Sequence, residues 1–241
     1  MRATIAVSRA QAARRQARLF VGLVLHPRAA AADVLAEGSL LAALAAIAIA
    51  CVVAALNTTR FASLTTVSDL AYGPGRAPLV SVLLDALGTA RTAVVVYLVE
   101  QAWAAVLVVT AVGPLLVWLL GATAVHAAAR LASAGRPFWR FMVFVAYATA
   151  LVFVPSGLAS LALEADPSSP LAALGRLVGP ALLLWLGALL YRGIQAYYRV
   201  PSSRALTILV LAVTLFYLVP LLLIAAAVIA IVVAAVVLEL A

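Results

Sequence analysis

Apolar residues in this chain come in long unbroken runs, at about 39–56, 112–131, 138–163, 171–191 and 206–238, separated by short polar or arginine-bearing stretches. Runs of this length without period-two alternation predict membrane-crossing helices rather than strands, since about 20 apolar residues span a bilayer. Lipid offers no partner to a backbone N–H or C=O, so every crossing segment must close its hydrogen bonds internally, as a helix does. The pattern predicts an all-α polytopic membrane bundle: a membrane domain over 39–241, preceded by an arginine-rich segment over 1–38. Within that segment the apolar cluster 19–25 is too short to cross and ends at Pro27, which fits a helix lying in the headgroup layer. The first long run starts too far from Met1 for a cleaved secretory signal and reads as a retained helix.

Residues 57–111 are expected outside, with a short amphipathic helix over 79–87. The stretch 92–132 is long enough for two crossings, but its only break is Gly113-Pro114, with no polar turn. A reversal there would strand backbone groups in lipid. Charge decides the matter. The positive-inside rule puts the arginine-bearing loops on the cytoplasmic side, so an odd number of crossings must separate 57 from 130. One crossing, 112–131, satisfies this, with 93–111 projecting outward or lying along the surface. The expected architecture has five transmembrane helices, the N-terminus cytoplasmic and the C-terminus external. On it, 12 arginines lie inside, 3 outside and Arg176 within the fourth span. Asp69, Asp85, Glu164, Asp166 and Glu239 all fall outside.

Composition strengthens this picture. Of 241 residues 67% are hydrophobic and 10% charged, and the mean hydropathy is +1.21. Soluble domains carry about 25% charged residues, so this chain lacks the polar surface to cover a water-soluble core. All 16 basic residues are arginine, a bias that with the alanine richness points to a GC-rich bacterial coding sequence. The net charge of +8 fits arginine-rich cytoplasmic segments facing anionic lipids better than nucleic acid, which is not an expected partner. Cys51 lies alone inside an apolar run, where it packs as a small hydrophobe. The Asn57-Thr58-Thr59 sequon hugs the membrane and is not read as modified.

Chemistry-bearing residues are few. An ionisable side chain at the bilayer centre costs about 2.5–3.5 kcal/mol on insertion scales, so Glu100, His126 and Arg176 each need an account. Glu100 reads as an interfacial carboxylate or, on a buried helix, as an ion-coupling group. His126, one turn before Arg130, reads as a donor to a neighbouring carbonyl or headgroup. Arg176 is placed to snorkel or to pair with Glu164 or Asp166. No His/Cys/Asp cluster has ligand spacing, so no metal or cofactor is expected. Val154-Pro155-Ser156-Gly157 lacks the first glycine of the rhomboid-protease motif, and His126 precedes the serine, so no catalytic residues are assigned. Packing signals are richer. Ala42, Ala46, Ala50 and Ala54 line one face of the first span, and Gly175 and Gly179 form a GxxxG in the fourth. Small residues let membrane helices approach closely, within one chain or against another subunit.

Three stretches carry a family likeness. They are Leu25-His26-Pro27-Arg28-Ala29; Ala129-Arg130-Leu131-Ala132-Ser133-Ala134-Gly135-Arg136-Pro137-Phe138 leading to Ala146-Tyr147-Ala148; and Trp185 followed by Tyr191-Arg192-Gly193-Ile194-Gln195-Ala196-Tyr197-Tyr198 and Ser203-Arg204-Ala205-Leu206. In order and spacing the chain resembles the Yip family of Ypt/Rab-interacting-protein-like membrane proteins, in its bacterial branch. It departs from the family at Pro155, which comes two turns rather than one after Tyr147, and at Arg136, where a second glycine is usual. The resemblance implies five helices, a cytoplasmic N-terminus and no enzymatic activity. Eukaryotic members are associated with Rab GTPases, a partner a bacterium lacks, and some bacterial relatives accompany ABC exporters. The resulting expectation is a non-catalytic scaffold or accessory subunit in the bacterial inner membrane, binding ABC-transporter subunits, other membrane proteins or itself. The alternative is a small transporter or channel using Glu100 and His126.

Reporter tags fused to the two ends are expected to respond from opposite sides of the membrane, the N-terminal one from the cytosol; responses from one side would reject an odd number of crossings.

Overall fold

The computed structural model describes residues 2–73, 78–163 and 170–240. The acidic turn with Glu164 and Asp166 lies outside the described residues, as does the side chain of Arg176. Nine helices occupy the described residues: α1 (Arg2–Leu25), α2 (Pro27–Glu37), α3 (Leu40–Leu64), α4 (Val67–Tyr72), α5 (Pro78–Ala111), α6 (Gly113–Leu131), α7 (Phe138–Leu163), α8 (Pro170–Tyr198) and α9 (Ser202–Leu240). The chain is an all-helical membrane protein of several apolar helices. Six helical stretches are long and apolar enough to cross a membrane. Beyond the five expected, the sixth is Arg91–Ala111, within the stretch expected outside.

α3 and α7 form the spine. They run side by side in the same direction: Arg140 Nη1 donates to the Ala36 carbonyl at 3.2 Å at one end, and Asn57 Nδ2 to the Gly157 carbonyl at 3.0 Å at the other. Apolar lipid supplies no hydrophobic drive between helices, so close approach must carry the packing. Ala43, Ala46 and Ala50 are buried along α3, and a Cβ at Gly157 would collide with Val53 Cγ1. α8 returns against α7. Gly193 lies flat on Phe144, whose ring occupies the space a Cβ would need, and Gly179 approaches the Ser156 hydroxyl. α6 also opposes α7, and its Trp118 indole donates to the Met142 carbonyl at 2.8 Å. Pro155, Pro180 and Pro220 each sit inside a continuous helix.

Several boundaries differ from the sequence-based reading. α3 continues eight residues past 56, because Asn57, Thr58 and Thr59 return their side-chain hydrogen bonds to carbonyls four residues back and leave the helix intact. The helix expected over 79–87 begins at Pro78 and breaks at Gly88, whose φ of 75° lies in the left-handed region open to glycine. Thr92 Oγ1 closes that break with a 3.1 Å bond to the Leu84 carbonyl. Between α5 and α6 only Val112 leaves the helical region (φ −90°, ψ 6°), and its N–H still bonds Val108 O. The direction bends there without reversing.

The N-terminal segment does not simply lie on lipid. α1 and α2 fold into a hairpin seated on the bundle, with Leu23 and Ala31 at 0% exposure and Val34 at 1%. The apolar cluster that is too short to cross is long enough to plug the end of the bundle.

Opposite shifts are expected from two substitutions in α7 and α8. The Thr149 hydroxyl is buried without a hydrogen-bond partner, so Thr149→Val should raise stability by about 1 kcal/mol. Gly193→Val should lower it by about 1–3 kcal/mol through collision with Phe144; thermal unfolding in detergent reads both.

Candidate functional site

The arginine-bearing connections gather at one end of the bundle, around a layer of aromatic and uncharged polar side chains. Tyr147 of α7, at 0% exposure, is the centre of this layer. Its hydroxyl donates to Gln16 Oε1 on α1, and its ring stacks on Phe20 with centroids 4.4 Å apart. Gln16 also accepts from the Ser39 N–H at 3.4 Å and donates to the Glu37 carbonyl at 3.5 Å. One carboxamide thus ties α1, the α2–α3 connection and α7 together. Outside it, Arg15 Nε meets Glu37 Oε2 at 2.8 Å. The guanidinium hydrogen bond holds the Glu37 carboxyl below its ordinary range.

The other half of the layer joins the two short hairpins. His126 Nδ1 lies 3.2 Å from the Tyr198 hydroxyl, a neighbour from the far hairpin rather than a carbonyl or headgroup. The same imidazole packs against Phe138. Tyr198 and Tyr197 pack on Phe141, and Tyr197 donates its hydroxyl to the Pro137 carbonyl. Arg136, in the place of a hairpin glycine, rests 6.0 Å from the Tyr197 ring centroid, a use glycine cannot serve. Gln195 bridges the Tyr191 hydroxyl and Ser202 Oγ at 3.2 and 3.0 Å, stapling α8 to α9. Arg14, Arg18, Arg28, Arg130 and Arg140 remain exposed around this end.

At the opposite end a cavity of about 710 Å³ opens between α3, α5 and α7, lined by Asn57, Arg60, Phe61, Trp103 and Phe153 among others. Arg60 crosses to the Leu161 carbonyl at 3.0 Å, and Phe61 meets Trp103 with centroids 6.2 Å apart.

These two ends locate the residues singled out in the sequence. Ala46 and Ala50 are buried and Ala42 and Ala54 half-buried, on the side of α3 that meets the rest of the bundle. Gly175 is buried and Gly179 half-buried on α8. Both small-residue faces are therefore largely spent within the chain. Glu100 is exposed on α5 with no hydrogen bond or ion pair among the described residues. It is not brought near His126: 26 residues of nearly continuous helix, about 39 Å at 1.5 Å per residue, separate them. Among the described residues no three His, Cys, Asp or Glu side chains gather as metal ligands would. Sequence reasoning missed Gln16 and Asn57 as organisers. The signal was present, since each is an uncharged hydrogen-bonding residue at the edge of an apolar run.

Tyr197 thus joins the second and third of the stretches that carry the family likeness through the Pro137 carbonyl, while the first, Leu25 to Ala29, forms the turn of the α1–α2 hairpin. A family model, the Yip1 domain, matches residues 21–224. The chain belongs to the Yip1 family. No curated protein and no solved structure matches it. The Yip1 match begins inside α1 and ends in α9, so it takes in the last turn of α1, all of α2 and the aromatic layer except Phe20. Gln16 stands just ahead of the Yip1 domain, so the carboxamide latch reaches into it from outside.

Limited trypsin digestion at Arg14 and Arg18 measures how firmly this Yip1 chain holds α1. Tyr147→Phe and Gln16→Ala should each accelerate cleavage, by the loss of about 0.5–1.5 kcal/mol per hydrogen bond, and the double variant should do little more than either. Because the folded Glu37 carboxyl is lowered, its contribution holds above the ordinary carboxylate range and is lost as pH falls through the lowered value. Wild-type α1 should loosen over that acid interval, and Glu37→Gln should flatten the response.

Proposed function

We propose that this Yip1-family chain is a non-catalytic membrane scaffold, an accessory subunit of a larger complex in the bacterial cytoplasmic membrane. One observation carries the reading. In the most apolar window of Arg91–Ala111 only 6% of residues are buried, against 56% in α7. With the small-residue faces of α3 and α8 largely spent inside the chain, the outer part of α5 is the least covered of the apolar helices and the one we assign to another protein. An ABC-type exporter as the complex rests on the family resemblance, and anionic lipid contacts on the exposed arginines around the aromatic layer.

Solubilised gently from its native membranes through an N-terminal tag, the chain should travel with a stoichiometric membrane-protein partner. A lone monomer, with every other protein lost at the first wash, would reject the accessory role.

A further inference from the structure

The outer part of α5 continues the direction of α6 past the bend at Val112, so Arg91 to Leu131 forms a rod about 60 Å long. The hydrocarbon core is about 30 Å thick, and α6 alone fills it. The inner half of Arg91–Ala111, from Trp103 to Thr110, lies beside the last turns of α3, and the outer half runs on past the α3–α7 spine. A helix resting in the headgroup layer needs a polar face and an apolar face. This one has neither, because Arg91, Thr92, Glu100 and Gln101 point to four different sides at 3.6 residues per turn. Val94, Tyr97, Leu98 and Val108 are each more than half exposed. Water alone does not suit such a surface, and lipid alone does not suit Glu100.

We infer that the face of α5 carrying Ala93, Tyr97, Glu100 and Ala104 docks an apolar helix of a second membrane protein that places a lysine or arginine opposite Glu100. Ala93 and Ala104 let the partner backbone come close on either side of the carboxylate. Glu100 is exposed and has no cation among the described residues, so the partner must bring one. A second copy of this chain fits poorly: a two-fold pair with parallel α5 helices sets Glu100 against Glu100. The inference rests on the accessory-subunit reading and gives the docking helix and the charge of its partner.

A photo-crosslinking side chain placed singly at Ala93, Tyr97 or Ala104, and for comparison at Val95, Ala102 or Val109 on the other side of α5, tests this in native membranes with the full chain. A protein adduct is expected from the first three positions and not from the other three. Its crosslinked peptide should be an apolar helix holding a lysine or arginine. Glu100→Gln should cut the adduct by about tenfold or more, whereas Glu100→Asp should keep most of it. Adducts from both sides, no protein adduct, an adduct with this same chain, a crosslinked helix without a basic residue, or a yield indifferent to Glu100→Gln would each overturn the inference. Should a partner still travel with the chain in those cases, the accessory role stands and only the docking face is wrong.

Discussion

Everything in this bundle depends on two helices lying in close contact while pointing the same way. In lipid a parallel pair gains nothing from excluding water, so α3 and α7 must hold each other by surface fit and by hydrogen bonds. The fit comes from small residues: Ala43, Ala46 and Ala50 on α3, and Gly157 on α7 against Val53. The hydrogen bonds come from Asn57, whose carboxamide bonds its own helix and the α7 backbone together. A parallel pair also dictates the route of the chain. After leaving α3 it must come back before α7 can begin, and α6 is the return; α8 then closes on the remaining side of α7.

The two ends of the spine do different work. At the arginine-rich end the backbone turns sharply and often, and each turn exposes carbonyls that need donors. Tyrosine suits that place, since its ring packs with the helices while its hydroxyl reaches a carbonyl or carboxamide. Tyr147 and Tyr197 perform this service for two separate segments and Tyr198 meets the His126 imidazole, which is why stretches far apart in sequence belong to one structural layer. The opposite end is looser, held by Arg60 and a tilted Phe61–Trp103 contact around a cavity.

Much of this was legible in the sequence. Long apolar runs announced the helices, because the energetic demand of lipid on the backbone leaves few alternatives. Ala46, Ala50, Gly175 and Gly179 marked packing sides from their spacing alone, although spacing does not say whether the neighbour belongs to the same chain. The fate of 1–38 was harder to read. Its apolar content is too low for a crossing and sufficient for a plug, and only the shape of the bundle end distinguishes a plug from a helix resting on lipid. Gln16 was legible as a hydrogen-bonding residue beside an apolar run, but its pairing with Tyr147 was not, for a simpler reason. The pairing joins residues 131 positions apart, and neither belongs to a local pattern that anticipates the other.

The two hairpins at the arginine-rich end are very short, and each contains a non-glycine residue in the left-handed region, Ser133 with φ of 56° and Arg199 with φ of 52°. With Arg199, Val200 and Pro201 alone linking α8 to α9, those helices have no slack with which to slide past one another. α3 is different, being joined to α6 through the whole length of α4 and α5. The register of α8 against α9 is therefore set by the chain itself, whereas that of α3 against α7 is set by side-chain contact alone.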